Sequence, residues 1–172
     1  MPLWEVRLGA PQYPEGLGLR IYAHTVTGVK PNDLNNINGL NHYIGMKAIT
    51  PEAIPELKYM RFVIGGLLLT GIALAARGAR RGLWVWLGCF AILGMVGLWD
   101  FWRWEHDYGH NLDMDNAIII IPGMSYQPPL IGSKQLLNFV AAAWPGAGAA
   151  ALGVAFLGVL VTLMATRPAR AA

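Results

Sequence analysis

Three long apolar runs divide the chain. Met60 to Ala76 (MRFVIGGLLLTGIALAA) is the first, and Leu83 to Phe101 (LWVWLGCFAILGMVGLWDF) is the second, uncharged until Asp100. The third, Leu136 to Ala165, contains Pro145 and a run of small residues, PGAGAAALG. Each meets the length of roughly 17–25 mainly apolar residues that a membrane-spanning helix needs. The first 58 residues follow a different rhythm. Short apolar pieces, LWEVRL and LGLRIYAHTV, are punctuated by Pro11, Pro14, Gly16, Gly18 and Gly28, which predicts strands and turns. NDLNNINGLNHYIGM is rich in Asn and Gly, and a helix there puts His42 and Met46 on one face. Pro51 and Pro55 break the chain just before the first span. The predicted fold is mainly α: a three-helix transmembrane bundle with a small, irregular extracytoplasmic α/β portion. Residues 1–58 form the N-terminal segment, and 59–172 the membrane region with a loop at 104–135. The N-terminal segment is too small to bury a good core alone, so it is expected to pack onto that loop and the helix ends. Within SYQPPLIGSKQLLNF, Pro128 and Pro129 fix an extended backbone, and Gly132-Ser133 reads as a turn and N-cap for the third span.

Composition agrees with a membrane protein. The 172 residues are 55% hydrophobic and 13% charged, with a mean hydropathy of +0.40, too apolar for an ordinary soluble domain. The charges then orient it. The link between the first two spans carries Arg77, Arg80 and Arg81 without an acid, and the tail carries Arg167 and Arg170. All ten Asp and Glu residues lie in the first 58 residues or between Asp100 and Asp115. By the positive-inside rule the arginine segments face the cytoplasm. Residues 1–58 and 104–135 then share the periplasmic face of a bacterial inner membrane. Trp99, Trp102 and Trp104 mark the outer end of the second span, and Trp84 and Trp86 its inner end. The chain opens MPLWEVRLGAPQYPEG, which has neither the basic n-region nor the apolar h-region of a signal peptide.

Several chemistries are excluded. The lone Cys89 lies in mid-span, so no disulfide or thiolate zinc site forms within one chain. There is no GxxxxGK[ST], GxGxxG, HExxH, GxSxG or CxxCH. The pI of about 9.2 comes from topological arginines and scattered lysines, so it does not point to nucleic acid. Without a nucleophile–base pair or a closed metal triad, an enzyme is not expected.

Histidine, methionine and carboxylate remain. Imidazole with thioether suits copper, because soft sulfur favours Cu(I) and imidazole accepts either valency. Cysteine, unreliable as a free thiol in an oxidising compartment, is absent from residues 1–58 and 104–135. The candidates are His42 with Met46, His106 with His110, and Met114 and Met124. Against them, HxxxM recurs by chance, methionine more often fills core gaps, and a turn histidine in DYGHNLD can simply bond a backbone carbonyl. Asp107, Asp113 and Asp115 read as loop caps or solvent-facing groups, any one of which could complete a site. His24, in an alternating strand, reads as structural; Met60, Met95 and Met164 read as packing within the spans.

The strings INGLNHYIGMK (37–47), WEHDYGHNLD (104–113) and PGMSYQPPLIGSKQLLNF (122–139) carry a resemblance. From about Pro2 through Trp144 the chain resembles a family of small uncharacterised bacterial multi-span membrane proteins, encoded near nitrous-oxide-reductase and copper-delivery genes. The resemblance implies an accessory role in copper handling and in maturation of a periplasmic copper enzyme, with nitrous oxide reductase the favoured client in denitrification. It also implies a further apolar span upstream, whose exit Pro2-Leu3-Trp4 would match, so the native start is expected earlier. The family pattern has Tyr in place of His106, which moves the weight onto His42, Met46, His110 and Met124. The alternative is a non-catalytic subunit of a larger respiratory or photosynthetic membrane complex. Small residues four apart in the third span, Gly146/Ala150 and Ala149/Gly153, suit helix packing in either case. The expected partners are the lipid bilayer and either a copper enzyme or chaperone, or other complex subunits.

Overall fold

The computed structural model describes residues 1–165. In chain order it has strands β1 (Trp4–Ala10), β2 (Tyr13–Ile21) and β3 (Val26–Gly28), then helix α1 (Asp33–Tyr43) and a single 3-10 turn at Pro51–Ala53. Two long helices follow, α2 (Glu56–Ala76) and α3 (Arg80–His110). A hairpin of β4 (Gly132–Leu136) and β5 (Phe139–Pro145) leads into α4 (Ala147–Ala165).

The strands form one antiparallel sheet in the order β3-β2-β1-β5-β4. Its centre joins the two ends of the chain: Trp4 pairs with Pro145, and Val6 with Ala143. Alternation drives this. Trp4, Val6 and Ala10 of β1 are buried, as are Ala141 and Ala143 of β5, while Arg7, Val140 and Trp144 between them face out. Ile37 of α1, Ile49, Ile54, Leu57 and Tyr108 of α3 close over the buried sheet face, giving one core. Asp33 ties α1 to the sheet, its Oδ2 accepting the N–H of Gly18 (3.0 Å) and of Lys30 (3.1 Å) in a buried position.

α2, α3 and α4 are each long and apolar enough to cross a membrane. α3 packs on both others. Trp86 donates its indole N–H to the Leu67 carbonyl (3.0 Å), and the missing Cβ of Gly71 makes room for its ring, which would otherwise lie 2.8 Å away. Leu87 and Leu163 complete this second core. None of the most apolar window of α2, and only 11% of those of α3 and α4, is buried inside the protein, as expected of helices solvated by lipid. At 31 residues α3 is about 46 Å long, against roughly 30 Å of bilayer hydrocarbon. Its last turns, residues 104–110, pack Trp104 and Tyr108 against the core beneath the sheet. Arg103 marks the boundary, bridging Asp100 (2.7 Å) and Glu56 (3.3 Å) at the start of α2.

Six expectations need correction. The portion outside the long helices is a regular sheet rather than an irregular one, because residues 132–145 supply two strands to it. For the same reason the third helix starts at Ala147 and not at Leu136. LLNFVAAAW is apolar enough for either structure, but Leu137 takes a positive φ (57°) at the hairpin tip, and Pro145 ends the strand. Gly132-Ser133 lies in β4 and caps nothing. Finally, α1 stops at Tyr43, so Met46 lies past the helix end, and His24 sits in the β2–β3 turn beside Tyr22 rather than in a strand. The stretch 104–110, placed in a loop by the sequence pattern, is helical. Arg167 and Arg170 lie outside the described residues.

Candidate functional site

The α1 terminus and the segment after α3 build one small site. Gly45 adopts φ +74°, which swings the chain out of α1 and brings Met46 back beside His42; the Met46 N–H bonds the Asn41 carbonyl at 2.9 Å. The Gly45 carbonyl accepts the Asp113 N–H (2.8 Å), and a Cβ on Gly45 would lie 2.6 Å from the Asp113 carbonyl oxygen. Only glycine satisfies both the conformation and the approach. The Tyr43 carbonyl accepts two more N–H groups, from Ile118 (3.0 Å) and Ile119 (2.8 Å). Lys47 pairs with Asp107 at 2.8 Å, and the Tyr108 hydroxyl donates to the Ala48 carbonyl at 3.4 Å. The segments around His42 and around His110 are thus sewn together, as two halves too small to fold separately require.

Between them lies a cavity of 130 Å³ lined by His42, Gly45, Met46, Lys47, Asp113 and Asn116. His42 is exposed, and Met46 is half-buried against the core. The Asn116 side chain and N–H bond the Asp113 carboxylate (2.8 and 3.2 Å). These bonds hold it below the usual carboxylate range, with a smaller contribution from nearby His42. Asp107 is likewise held low, first by Lys47 and then by Asn111.

The other candidate ligands stand apart from this cavity. His106 and His110, one turn apart on α3, stack face to face with ring centres 3.9 Å apart and planes 12° apart. His110 Nδ1 lies 3.0 Å from the His106 carbonyl oxygen; a carbonyl only accepts, so Nδ1 is the donor of that bond and Nε2 is the nitrogen left for a ligand. Imidazole lone pairs lie in the ring plane, so parallel stacked rings do not converge on one ion. Chelation by this pair requires a rotamer change. Met124 is half-buried in the turn closed by its N–H to the Ile121 carbonyl (3.1 Å), and Met114 is exposed. Among the described residues no three His, Cys, Asp or Glu side chains gather to hold a metal ion.

Glu105 is a functional candidate missed in the sequence. It is 2% exposed, and among the described residues neither carboxylate oxygen has a hydrogen-bond partner. Loss of solvation pushes its pKa up to about 8. It lies on α3 between Phe101 and Tyr108, the face that Trp4 covers edge-on at Phe101 (5.6 Å). One turn further on, the Gly109 carbonyl accepts the N–H of Tyr126, whose hydroxyl is also buried and unpartnered. The signal was legible: Phe101, Glu105 and Tyr108 fall at i, i+4 and i+7 of one helix face. It was hidden by reading 104–110 as loop. A second, more open groove of 520 Å³ lies between the β1–β2 turn and the start of α1, lined by Gln12, Tyr13, Lys30 and Asn36 among others.

Comparison with protein-family models, with curated proteins and with solved structures finds no match to this chain.

Proposed function

We propose that this is a membrane-anchored accessory protein of the bacterial inner membrane that takes Cu(I) at the His42–Met46 cavity and assists maturation of a periplasmic copper enzyme, nitrous oxide reductase being the favoured client. The observation that carries the reading is that an imidazole and a thioether, separated by the end of α1, line one small cavity. That donor pair suits Cu(I). The arginine link between α2 and α3 favours a cytoplasmic end there, and so a periplasmic sheet domain. His110, whose free Nε2 stands on the adjoining end of α3, is a further donor once its ring leaves the stack with His106. Met124 and His106 are weaker candidates, since neither lines the cavity.

The test is copper retention. Purified protein in detergent should hold Cu(I) against a competing chelator, and His42→Ala with Met46→Leu should abolish this while leaving the fold intact. In cells, the same double variant should lower client activity at limiting copper, and added copper should restore it. Full copper retention and full client activity in the double variant would sink the proposal.

A second reading, that of a non-catalytic subunit in a larger membrane complex, draws on Ile118 to Ile121. These four consecutive isoleucines are 65%, 45%, 52% and 37% exposed. An apolar run of this kind at a polar surface suits a partner. Recovery of the protein only as a monomer from gently solubilised native membranes would count against it.

A further inference from the structure

We propose that Asp113 is a third donor to the His42–Met46 cavity and makes it a site for Cu(II) as well as Cu(I); this rests on the copper reading above. Three observations place the carboxylate there. It lines the same cavity as His42 and Met46. Its backbone is pinned, the Asp113 N–H bonding the Gly45 carbonyl at 2.8 Å where no side chain on Gly45 would fit. And it is ionised and open to a ligand: its oxygens accept from Asn116 at 2.8 and 3.2 Å and from the Asp115 backbone N–H, and among the described residues it makes no ion pair.

The neighbouring cation does not compete. Lys47 also lines the cavity, but its ammonium is turned to Asp107 at 2.8 Å. The two carboxylate oxygens offer about four lone-pair sites, so the Asn116 and Asp115 contacts leave capacity for an ion. Asn116 therefore orients the group and does not exhaust it, as partners of ligating carboxylates commonly do.

Donor chemistry then divides the work. Cu(I) is soft and is served by the thioether and the imidazole. Cu(II) favours nitrogen and oxygen, and is served by the imidazole and the carboxylate. His42 is common to both sets. A site with only His42 and Met46 should discriminate against Cu(II); with Asp113 it should not.

The test compares the two valencies on the full chain in detergent. Cu(I) binding is read by competition with a chromogenic chelator under anaerobic conditions, and Cu(II) binding by electron paramagnetic resonance during titration with the aqueous cupric ion. Asp113→Asn should weaken Cu(II) by at least about tenfold and change its spectrum, while Cu(I) affinity stays within about twofold. Asp113→Glu, which keeps the charge, should recover most of the Cu(II) binding. Unchanged Cu(II) affinity in Asp113→Asn overturns this inference and leaves the Cu(I) proposal standing, as does an equal loss of both valencies. A wild-type protein that binds neither overturns both.

Discussion

Glu105 makes the stability of the sheet domain depend on pH in an unusual direction. Its carboxyl is buried without a partner, and burial raises its pKa from about 4.5 to about 8. Below pH 4.5 both the folded and unfolded chains carry the proton, and the group contributes no pH dependence. As pH rises, the unfolded chain releases the proton while the folded one keeps it, so stability falls until about pH 8. The limiting slope is about 1.4 kcal/mol per pH unit, which amounts to about 3 kcal/mol by pH 7. Asp107 and Asp113 act oppositely, since both are held low, but their contribution is complete once pH exceeds the ordinary aspartate range. Between pH 5 and 8 the Glu105 slope should therefore show. The perturbation is Glu105→Gln, which keeps the shape and cannot ionise. The assay is denaturant unfolding in detergent at several pH values, followed by tryptophan fluorescence, with Trp4 and Trp104 both packed on the core that includes Tyr108. The wild type should lose stability from pH 5 to 8, and Glu105→Gln should be nearly flat and the more stable of the two at pH 8. Parallel pH profiles for the two proteins would refute the reasoning, because the carboxyl would then have to be solvated or paired.

Asp33→Ala should cost about 2–3 kcal/mol in the same unfolding assay, because it orphans the buried N–H of Gly18 and that of Lys30. Gly109→Ala puts a Cβ 2.5 Å from the Gln127 backbone, so it should cost about 2 kcal/mol and raise hydrogen exchange at Tyr126. Arg103→Ala removes two exposed ion pairs and should leave the unfolding midpoint nearly unchanged, with any small difference shrinking further in high salt.

Period and length made the three long helices legible, since a run of some twenty apolar residues has few other uses. The β1–β2 hairpin was readable too, from turn residues between short alternating pieces. The β4–β5 hairpin was not. Its inner strand, FVAAAWP, is rich in alanine, which suits a helix better, and what makes it a strand is a partner more than a hundred residues away at Trp4–Gly9. The end of α3 was misread for a related reason. The charges in WEHDYGH suggested solvent, whereas Glu105 and Tyr108 turn inward and His106 and His110 outward. At the candidate site, the pairing of His42 with Met46 was readable from spacing, though it arises from the turn at Gly45 and not from a shared helix face. Asp113 was one of three carboxylates the sequence offered equally, and what singles it out is its bond to Gly45, a tertiary contact that spacing does not encode.

The pairing of β1 with β5 also sets an order of events during synthesis. β1 leaves the ribosome well before its partner at Phe139–Pro145, which is made only after two long helices. At about 5–20 residues per second, the interval is on the order of ten seconds. Throughout it, β1 and β2 form a hairpin with one bare edge, its Trp4 and Val6 waiting for cover, the kind of edge that recruits the wrong strand. A ribosome stalled before residue 139 would release a chain whose helices can insert but whose sheet cannot close. Quality control of such fragments would have to recognise an open strand rather than a misplaced span.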